Sequence, residues 1–355
     1  MNDVSIVTAQ RALPAFSRTT DEILPYLDQW LRDEPDRLRR KARKIFEGAG
    51  VDRRYGIMDV AEVFTPSSFE AKNRLYAAGA RELGNRALQA ALEAAGWEPD
   101  SLDILITVSC TGIMIPSLDA YLIDDQGLRG DIIRLPVTEM GCVGGVSGLI
   151  YARRFLSAGS ASRAAVLAVE SPAATFQHND RSMANIISAA IFGDGASCVL
   201  LSNEAGQAGP RILAEGMYHF PESTGLMGFD LTNRGLRMIL DPDVPHAISR
   251  NFQQFLGPFL AQSGLEITDL RHLIFHPGGR KIVETVSELF RDQLANMDKT
   301  REVLRHYGNM SSATVLYVLQ AYLEDPSLPP GPALILSFGP GFTAQRMLIE
   351  FSQLD

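Results

Sequence analysis

Apolar residues recur along this chain with two periods, and the stretches where each period holds predict its elements. Val4 to Thr8 has the length and composition of a short strand, and Thr20 to Leu31 sets Ile23, Leu24, Leu27 and Leu31 at helical spacing. A basic helix follows with Arg37, Arg39, Arg40, Lys41, Arg43 and Lys44, and it ends near Gly48 and Gly50. Ala71 to Ala95 reads as an alanine-rich helix and Leu102 to Ser109 as a mostly apolar strand. Next come a helical stretch from Gly148 to Leu156, an apolar strand from Arg163 to Glu170, and a helix, turn and strand from Ile186 to Ser202. The turn is Phe192-Gly193-Asp194-Gly195. Helix and strand in alternation predict α/β layering. Between about Glu204 and Asp243, glycines and prolines break the pattern and leave room for a hairpin, so this stretch reads as the join between two halves, 1–205 and 206–355.

The two sides of that join resemble each other. Gly96-Trp97-Glu98-Pro99-Asp100-Ser101-Leu102-Asp103-Ile104-Leu105-Ile106 returns, 168 positions later, as Gly264-Leu265-Glu266-Ile267-Thr268-Asp269-Leu270-Arg271-His272-Leu273-Ile274. At nearly the same offset Met140-Gly141-Cys142 matches Tyr307-Gly308-Asn309, and Ala164 to Glu170 matches Gly331 to Ser337. Three matched segments in unchanged order predict a duplicated helix–strand–loop–helix–strand unit. Two such units packed about a pseudo-twofold axis put Cys142 and Asn309 at equivalent helix starts, facing one another. His276 closes an apolar strand just before Pro277-Gly278-Gly279, beside the same crevice.

Cys142 lies in Glu139-Met140-Gly141-Cys142-Val143-Gly144-Gly145-Val146-Ser147-Gly148, where a glycine-rich loop passes into a helix. Small neighbours permit close approach by a substrate, and a helix N-terminus offers free N–H groups and a positive dipole end. Both are expected to lower a thiol pKa and make the cysteine a nucleophile. The alternative is a small buried residue in a tight helix contact.

Composition narrows the classes. Hydrophobic residues make up 46% and charged residues 21% of 355 positions, the balance of a soluble globular protein. Cys110, Cys142 and Cys198 form no CxxC pair, which argues for a reducing compartment and against a structural zinc site. No signal peptide pattern or bilayer-length apolar run is present, so a cytoplasmic location without stable membrane insertion is expected. A formal charge of −9 argues against a nucleic-acid partner, and any anionic ligand must meet a local basic patch. The basic run on 37–44 is either such a patch or a solvated helix face.

A cysteine, a histidine and an asparagine from distant segments supply a nucleophile, its proton partner and a neutral hydrogen-bond donor. Asn309 also suits a helix N-cap, and His276 a satisfied core position. Papain-like proteases combine the same three residue types. The duplicated α/β unit and the missing protease signature around the cysteine count against that reading.

Five motifs carry a family resemblance: Gly141-Cys142-Val143-Gly144-Gly145, Phe192-Gly193-Asp194-Gly195, His276-Pro277-Gly278-Gly279, Gly308-Asn309-Met310-Ser311-Ser312-Ala313-Thr314 and Phe338-Gly339-Pro340-Gly341-Phe342. Together they resemble the type III polyketide synthases, the chalcone synthase superfamily, from about residue 4 to the C-terminus. Ser109-Cys110-Thr111-Gly112 and Met227-Gly228-Phe229-Asp230 look bacterial, near the alkylpyrone and alkylresorcinol synthases.

The resemblance implies an α/β thiolase-like fold of duplicated αβαβα units in five layers, assembled as a homodimer. It implies Cys142 as the acyl carrier, His276 as its imidazolium partner, and His276 with Asn309 as holders of the malonyl-CoA thioester carbonyl. Phe192 matches one gate position, and Met238 stands where a second gate phenylalanine is usual. Cys110, Thr175 and Ser311 match cavity-lining positions, and Ile115 the residue inserted into the partner subunit's cavity. Lys41 and Lys44 match CoA contacts, while the third basic position of the plant pattern is Gly48; Arg280 and Lys281 are placed to make up that charge. Acyl-CoA and malonyl-CoA are the implied substrates, with no metal or redox cofactor. A fatty acyl starter and an alkylpyrone or alkylresorcinol product are expected. The alternatives are a chalcone-synthase-like enzyme with another starter, a ketoacyl-ACP synthase III-like condensing enzyme, a silent binding protein of this fold, and, more distantly, a cysteine hydrolase.

Overall fold

The computed structural model describes residues 3–290 and 297–352. The first half runs β1 (Ser5–Ala12), β2 (Phe16–Thr19), α1 (Thr20–Trp30), α2 (Asp36–Gly48), β3 (Arg53–Gly56), α3 (Val60–Val63), α4 (Phe69–Ala95), β4 (Ile104–Val108), α5 (Leu118–Gln126), β5 (Ile133–Val137), α6 (Gly144–Ser157), β6 (Arg163–Glu170), α7 (Met183–Ile191) and β7 (Gly195–Ser202). The second runs β8 (Arg211–His219), β9 (Met227–Thr232), β10 (Gly235–Leu240), α8 (Val244–Ala261), β11 (His272–Phe275), α9 (Arg280–Leu289), α10 (Asp298–Tyr307), α11 (Thr314–Leu323), β12 (Gly331–Gly339) and β13 (Thr343–Phe351).

Nine strands hydrogen-bond in the order β11-β12-β13-β8-β1-β7-β6-β4-β5. The halves join at β1 and β8 through one registered pair, Ser5 with Arg211. Within each half, successive strand residues face different cores. In β6, Ala164, Val166 and Ala168 pack with α6 and α11, while Ala165, Leu167 and Val169 pack with α4. In β12, Ala333 and Ile335 face α6 and α11, while Leu334, Leu336 and Phe338 join the core that holds α8. The result is five layers: α4, strands of the first half, α6 with α11, strands of the second half, α8. Strands covered on both faces need apolar residues at nearly every position, so they read as unbroken apolar runs rather than alternations. Each fully buried leucine in them contributes about 1.5–3 kcal/mol.

The duplication is physical, and its register differs from the expected one at the central helices. Cys142 sits in a one-turn 3-10 segment, Gly141–Val143, that leads into α6, and the matching segment before α11 is Ser311–Ala313. Ser312, not Asn309, therefore occupies the position equivalent to Cys142. Asn309 lies just before its turn, held by α10 and the loop. The two turns pack so closely that a Cβ on Gly145 would lie 2.3 Å from the Ser312 carbonyl oxygen. That contact also explains why α6 starts at Gly144, earlier than the periodicity predicts.

The irregular join contains a full nine-residue strand, β8, and the hairpin of β9 and β10. The burial of β8 does not alternate cleanly, which hid it from the period-2 criterion. The short pair β2 and β3, and the edge unit of α5 and β5, were also absent from the sequence reading.

Candidate active site

Three local structures deliver the candidate chemistry to one place. Gly141 has φ +53°, and a Cβ there would meet the Pro340 ring at 2.5 Å, so the turn before Cys142 needs glycine. The Cys142 carbonyl accepts a bond from Ser337 Oγ at 2.7 Å, which ties this turn to β12 of the other half. His276 follows β11. Its N–H continues the strand pairing to the Leu336 carbonyl at 2.9 Å, and its carbonyl accepts the Gly278 N–H at 2.9 Å. The ring is 2% exposed and neither ring nitrogen has a protein partner. Asn309 donates its backbone N–H to the Ile191 carbonyl at 2.7 Å. Its Oδ1 accepts the Ser311 N–H at 2.8 Å, which fixes the amide and leaves Nδ2 beside the Gly278 carbonyl at 3.3 Å.

Cys142, His276 and Asn309 line one cavity of about 20 Å³ with Phe192, Met238 and Phe338. A second cavity of about 20 Å³ shares Cys142, Phe192, Met227 and Met238 with the first and adds Thr111, Pro172, Ser311 and Pro340. Phe192 and Met238 thus stand at the wall between two spaces around the sulfur. Met238 pairs across the hairpin with Phe229. A larger cavity of about 640 Å³, sharing Gly141, Met227, Gly228, Phe229 and Pro340 with the second, is lined by Cys110, Ile113, Met114 and Ile115.

Electrostatics here run against the simple helix-terminus expectation. Burial pushes the Cys142 thiol up to about 12, only partly opposed by hydrogen bonding from Ser311, Asn309 and its own backbone N–H. Burial also pushes His276 down to about 3. Alone, each group is therefore neutral. A proton passed from sulfur to imidazole makes two opposite charges in a poorly solvated space, where their mutual attraction is large. The cation partner, more than the helix end, is what this site offers a thiolate.

Glu170, fully buried at the end of β6, was not singled out in the sequence. It accepts bonds from Thr111 Oγ1 at 2.8 Å, Cys110 N–H at 3.1 Å, Ser109 Oγ at 3.4 Å and Ser312 Oγ. The Cys110 thiol lies 3.5 Å from Glu170 Oε1 and 3.4 Å from Ser311 Oγ. Burial first, and Glu170 second, raise the Cys110 thiol well above its ordinary value. The signal was available: one acid closing a run of seven buried residues needs a polar partner set.

The other sequence candidates scatter around this centre. Thr175 is buried, donates Oγ1 to the Pro172 carbonyl at 2.8 Å, and faces a recess next to Phe192 rather than the Cys142 cavities. Ile115 is 93% exposed at the rim of the large cavity. Lys41 and Lys44 are exposed on α2, and Lys281 is exposed on α9. Arg280, bonded to Glu284 at 2.8 Å, brings Nη1 to 3.4 Å from the Gly48 carbonyl, so it reaches the end of α2 where the third basic residue is missing. Among the described residues no group of three or more His, Cys, Asp or Glu is arranged to hold a metal ion, and no helix is long and apolar enough to cross a membrane.

The model for the N-terminal domain of chalcone and stilbene synthases matches residues 17–205, and that for the C-terminal domain matches residues 213–352. The 1,3,6,8-tetrahydroxynaphthalene synthase of Streptomyces peucetius subsp. caesius is 32% identical over 98% of this chain and 93% of its own length. The phloroglucinol synthase of Pseudomonas fluorescens is 28% identical over 96% of this chain and 97% of its own. The crystal structure of 1,3,6,8-tetrahydroxynaphthalene synthase from Streptomyces coelicolor A3(2), described as a bacterial type III polyketide synthase, superposes with a TM-score of 0.92 at 26% identity, over 99% of this chain and all of that one. With both domain models filling most of its length over a shared thiolase-like architecture, the chain belongs to the chalcone and stilbene synthases, the type III polyketide synthases.

Proposed function

We propose that Cys142 carries the growing acyl chain, that His276 takes and returns its proton, and that His276 and Asn309 stabilise the enolate formed from malonyl-CoA. One observation carries this: the thiol of the first half and the imidazole and carboxamide of the second line a single cavity. In loading, the Cys142 proton moves to His276, the sulfur attacks the starter thioester, and free CoA leaves with that proton. Malonyl-CoA then loses CO₂. Negative charge grows on its thioester oxygen, where an imidazole N–H and an Nδ2–H of Asn309 stabilise it, each such donor being worth about 10²–10³ in rate. The carbanion attacks the acyl carbon, the C–S bond to Cys142 breaks, and the extended β-ketoacyl-CoA is ready to reload. The family membership supplies the reaction class, acyl transfer with decarboxylating condensation.

Lys41, Lys44, Arg280 and Lys281 are assigned to the CoA phosphates. Arg280 at Gly48 supports that grouping. Ile115, Ile113 and Leu231 are 93%, 45% and 65% exposed around the large cavity, and a second copy of the chain is assigned to cover them.

For the product, a short polyketide closed to a hydroxylated aromatic ring is favoured by the two small spaces at the sulfur and by the products named for the relatives. A fatty acyl starter leading to an alkylpyrone or alkylresorcinol is the second reading. The large cavity past Gly141, lined by Ile113, Met114, Leu118 and Leu236, favours it. Mass spectrometry of products from malonyl-CoA with a ladder of starters, acetyl to palmitoyl, separates the two. Aromatic products from short starters fit the first reading and alkyl-bearing products from long starters the second. An enzyme that consumes no malonyl-CoA, or one whose Cys142→Ala variant makes undiminished product, overturns both.

A further inference from the structure

A recess of about 40 Å³ adjoins the Cys142 cavities through shared walls at Pro172, Phe192 and Met238. That space takes about three waters or one carboxylate group. Ile23, Val63 and Phe64 form part of its apolar wall, and two guanidinium groups line its other side, those of Arg18 and Arg54.

Arg54 is 1% exposed. Its Nη2 donates to the Ala190 carbonyl at 2.9 Å, to Thr20 Oγ1 at 3.1 Å and to the Val51 carbonyl at 3.3 Å, while Nε and Nη1 have no partner. Arg18, 7% exposed, donates Nη1 to the Met58 carbonyl at 2.9 Å. Ser188 lines the same recess, and its buried Oγ also lacks a partner. Asp194, fully buried nearby, accepts the Ile57 and Ala173 N–H groups, each at 2.9 Å, and acts on Arg18 only through its field. Asp52 is the carboxylate whose field reaches Arg54. Burial and the neighbouring Arg18 bring Arg54 down to about 9, which still leaves it cationic at neutral pH. Neither arginine forms an ion pair among the described residues, and an unpaired buried charge with two idle donors is costly.

We propose that this recess is a carboxylate-binding site, in which Nε and Nη1 of Arg54 make a forked pair of bonds to the two oxygens and Ser188 Oγ donates a third. The fork of a guanidinium fits that planar anion and its charge. The carboxylate comes either from a small free acid or from the far end of a dicarboxylic acyl thioester admitted past Phe192. The second source rests on the function proposed above; the binding itself does not.

Thermal unfolding of the enzyme in sodium malonate, sodium acetate and sodium chloride at equal ionic strength tests the site without turnover. The expected result is a melting temperature that rises with millimolar malonate or acetate and not with chloride. The rise is expected to be lost in Arg54→Met and in Ser188→Val, which fills the recess but keeps both arginines and so serves if Arg54→Met fails to fold. Equal melting in all three salts, or equal shifts in the wild type and Ser188→Val, overturns the proposal by showing a recess that holds only water. Starter competition identifies the source. If the carboxylate belongs to the substrate, the ratio of succinyl-primed to acetyl-primed product falls at least fivefold in Ser188→Val. An unchanged ratio with a lost thermal shift assigns the site to a free acid.

Discussion

Phe192 and Asn309 are joined by a parallel β-bridge: the Asn309 N–H reaches the Ile191 carbonyl at 2.7 Å, and the Asn309 carbonyl receives the Gly193 N–H at 3.1 Å. A residue at the wall between the two cavities and the amide assigned to the enolate are thus held by one short piece of ladder spanning the two halves. The closeness has a strict requirement at Gly193, where a Cβ would lie 2.3 Å from the Tyr307 carbonyl oxygen. Gly193→Ala is expected to destabilise the protein by about 1–3 kcal/mol through overpacking and to lower condensation more than it lowers stability. Gly228→Ala, with nothing within 4 Å of its Cβ, is the control in urea unfolding. Equal behaviour of the two variants would show that the ladder relaxes freely.

Removing the amide tests the enolate assignment. Asn309→Ala is expected to slow malonyl-CoA decarboxylation about 10²–10³-fold, as the loss of one oxyanion donor does. Acylation of Cys142 by a starter is expected to change far less. Measuring CO₂ release and the acyl-enzyme separately distinguishes the two, and a parallel fall in both would point to collapse of the turn at Ser311.

The three side chains were legible because the chain repeats itself. Asn309 was found through the right repeat with the wrong register: glycine-before-polar matched Cys142 to Asn309, whereas the 3-10 turns match Cys142 to Ser312. Five layers were legible from strands apolar at every position. The strand β8 was not, because its residues are half-buried rather than alternating, and neither was the pairing of Arg280 with Gly48, which joins segments 232 positions apart. The pKa directions were beyond local sequence. A helix start can lower a thiol pKa, but the packing that raises it comes from Phe192, Met238 and Phe338, none of them near Cys142 in the chain.

Those directions give a pH prediction. Without His276 the Cys142 thiol keeps its raised value of about 12, so its thiolate fraction grows about tenfold per pH unit below that. In His276→Ala, iodoacetamide labelling of Cys142 is expected to climb through pH 6–10 without a plateau and to run well below the wild type at pH 7. Equal rates at pH 7 would show that the imidazole contributes nothing to the thiolate.

The throat is open to a size test. Met238 is flexible and lines both small cavities and the carboxylate recess. Met238→Phe stiffens that wall, and the ratio of decanoyl-primed to acetyl-primed product is expected to drop about tenfold. A ratio that does not move would place the acyl path elsewhere.

Charge at the CoA mouth is assigned to two helices. Replacing Arg280 and Lys281 together by alanine removes two cations beside the end of α2, and the expected outcome is a KM for malonyl-CoA raised by about tenfold with little change in kcat, the signature of lost uniform binding. An unchanged KM would leave Lys41 and Lys44 as the phosphate contacts.

Glu170 joins these threads, because it is a buried carboxylate with hydroxyl and N–H donors and no cation among its bonded partners. Burial raises its pKa, and the donors from Ser312, Cys110 and Thr111 pull it back. Glu170→Gln keeps the shape but turns one acceptor into a donor facing Thr111 or Ser312, so one buried polar group loses its partner at a cost of about 1–3 kcal/mol. The same change removes a negative charge beside the Cys110 thiol, whose ionisation Glu170 opposes. Cys110 is therefore expected to label faster with a small alkylating reagent in Glu170→Gln than in the wild type at pH 8, followed by peptide mass spectrometry. Cys198, buried in β7 away from any carboxylate, is the internal reference. If Cys110 labelled more slowly, the acid would be activating that thiol, and the hydrogen bond to Glu170 would outweigh its charge.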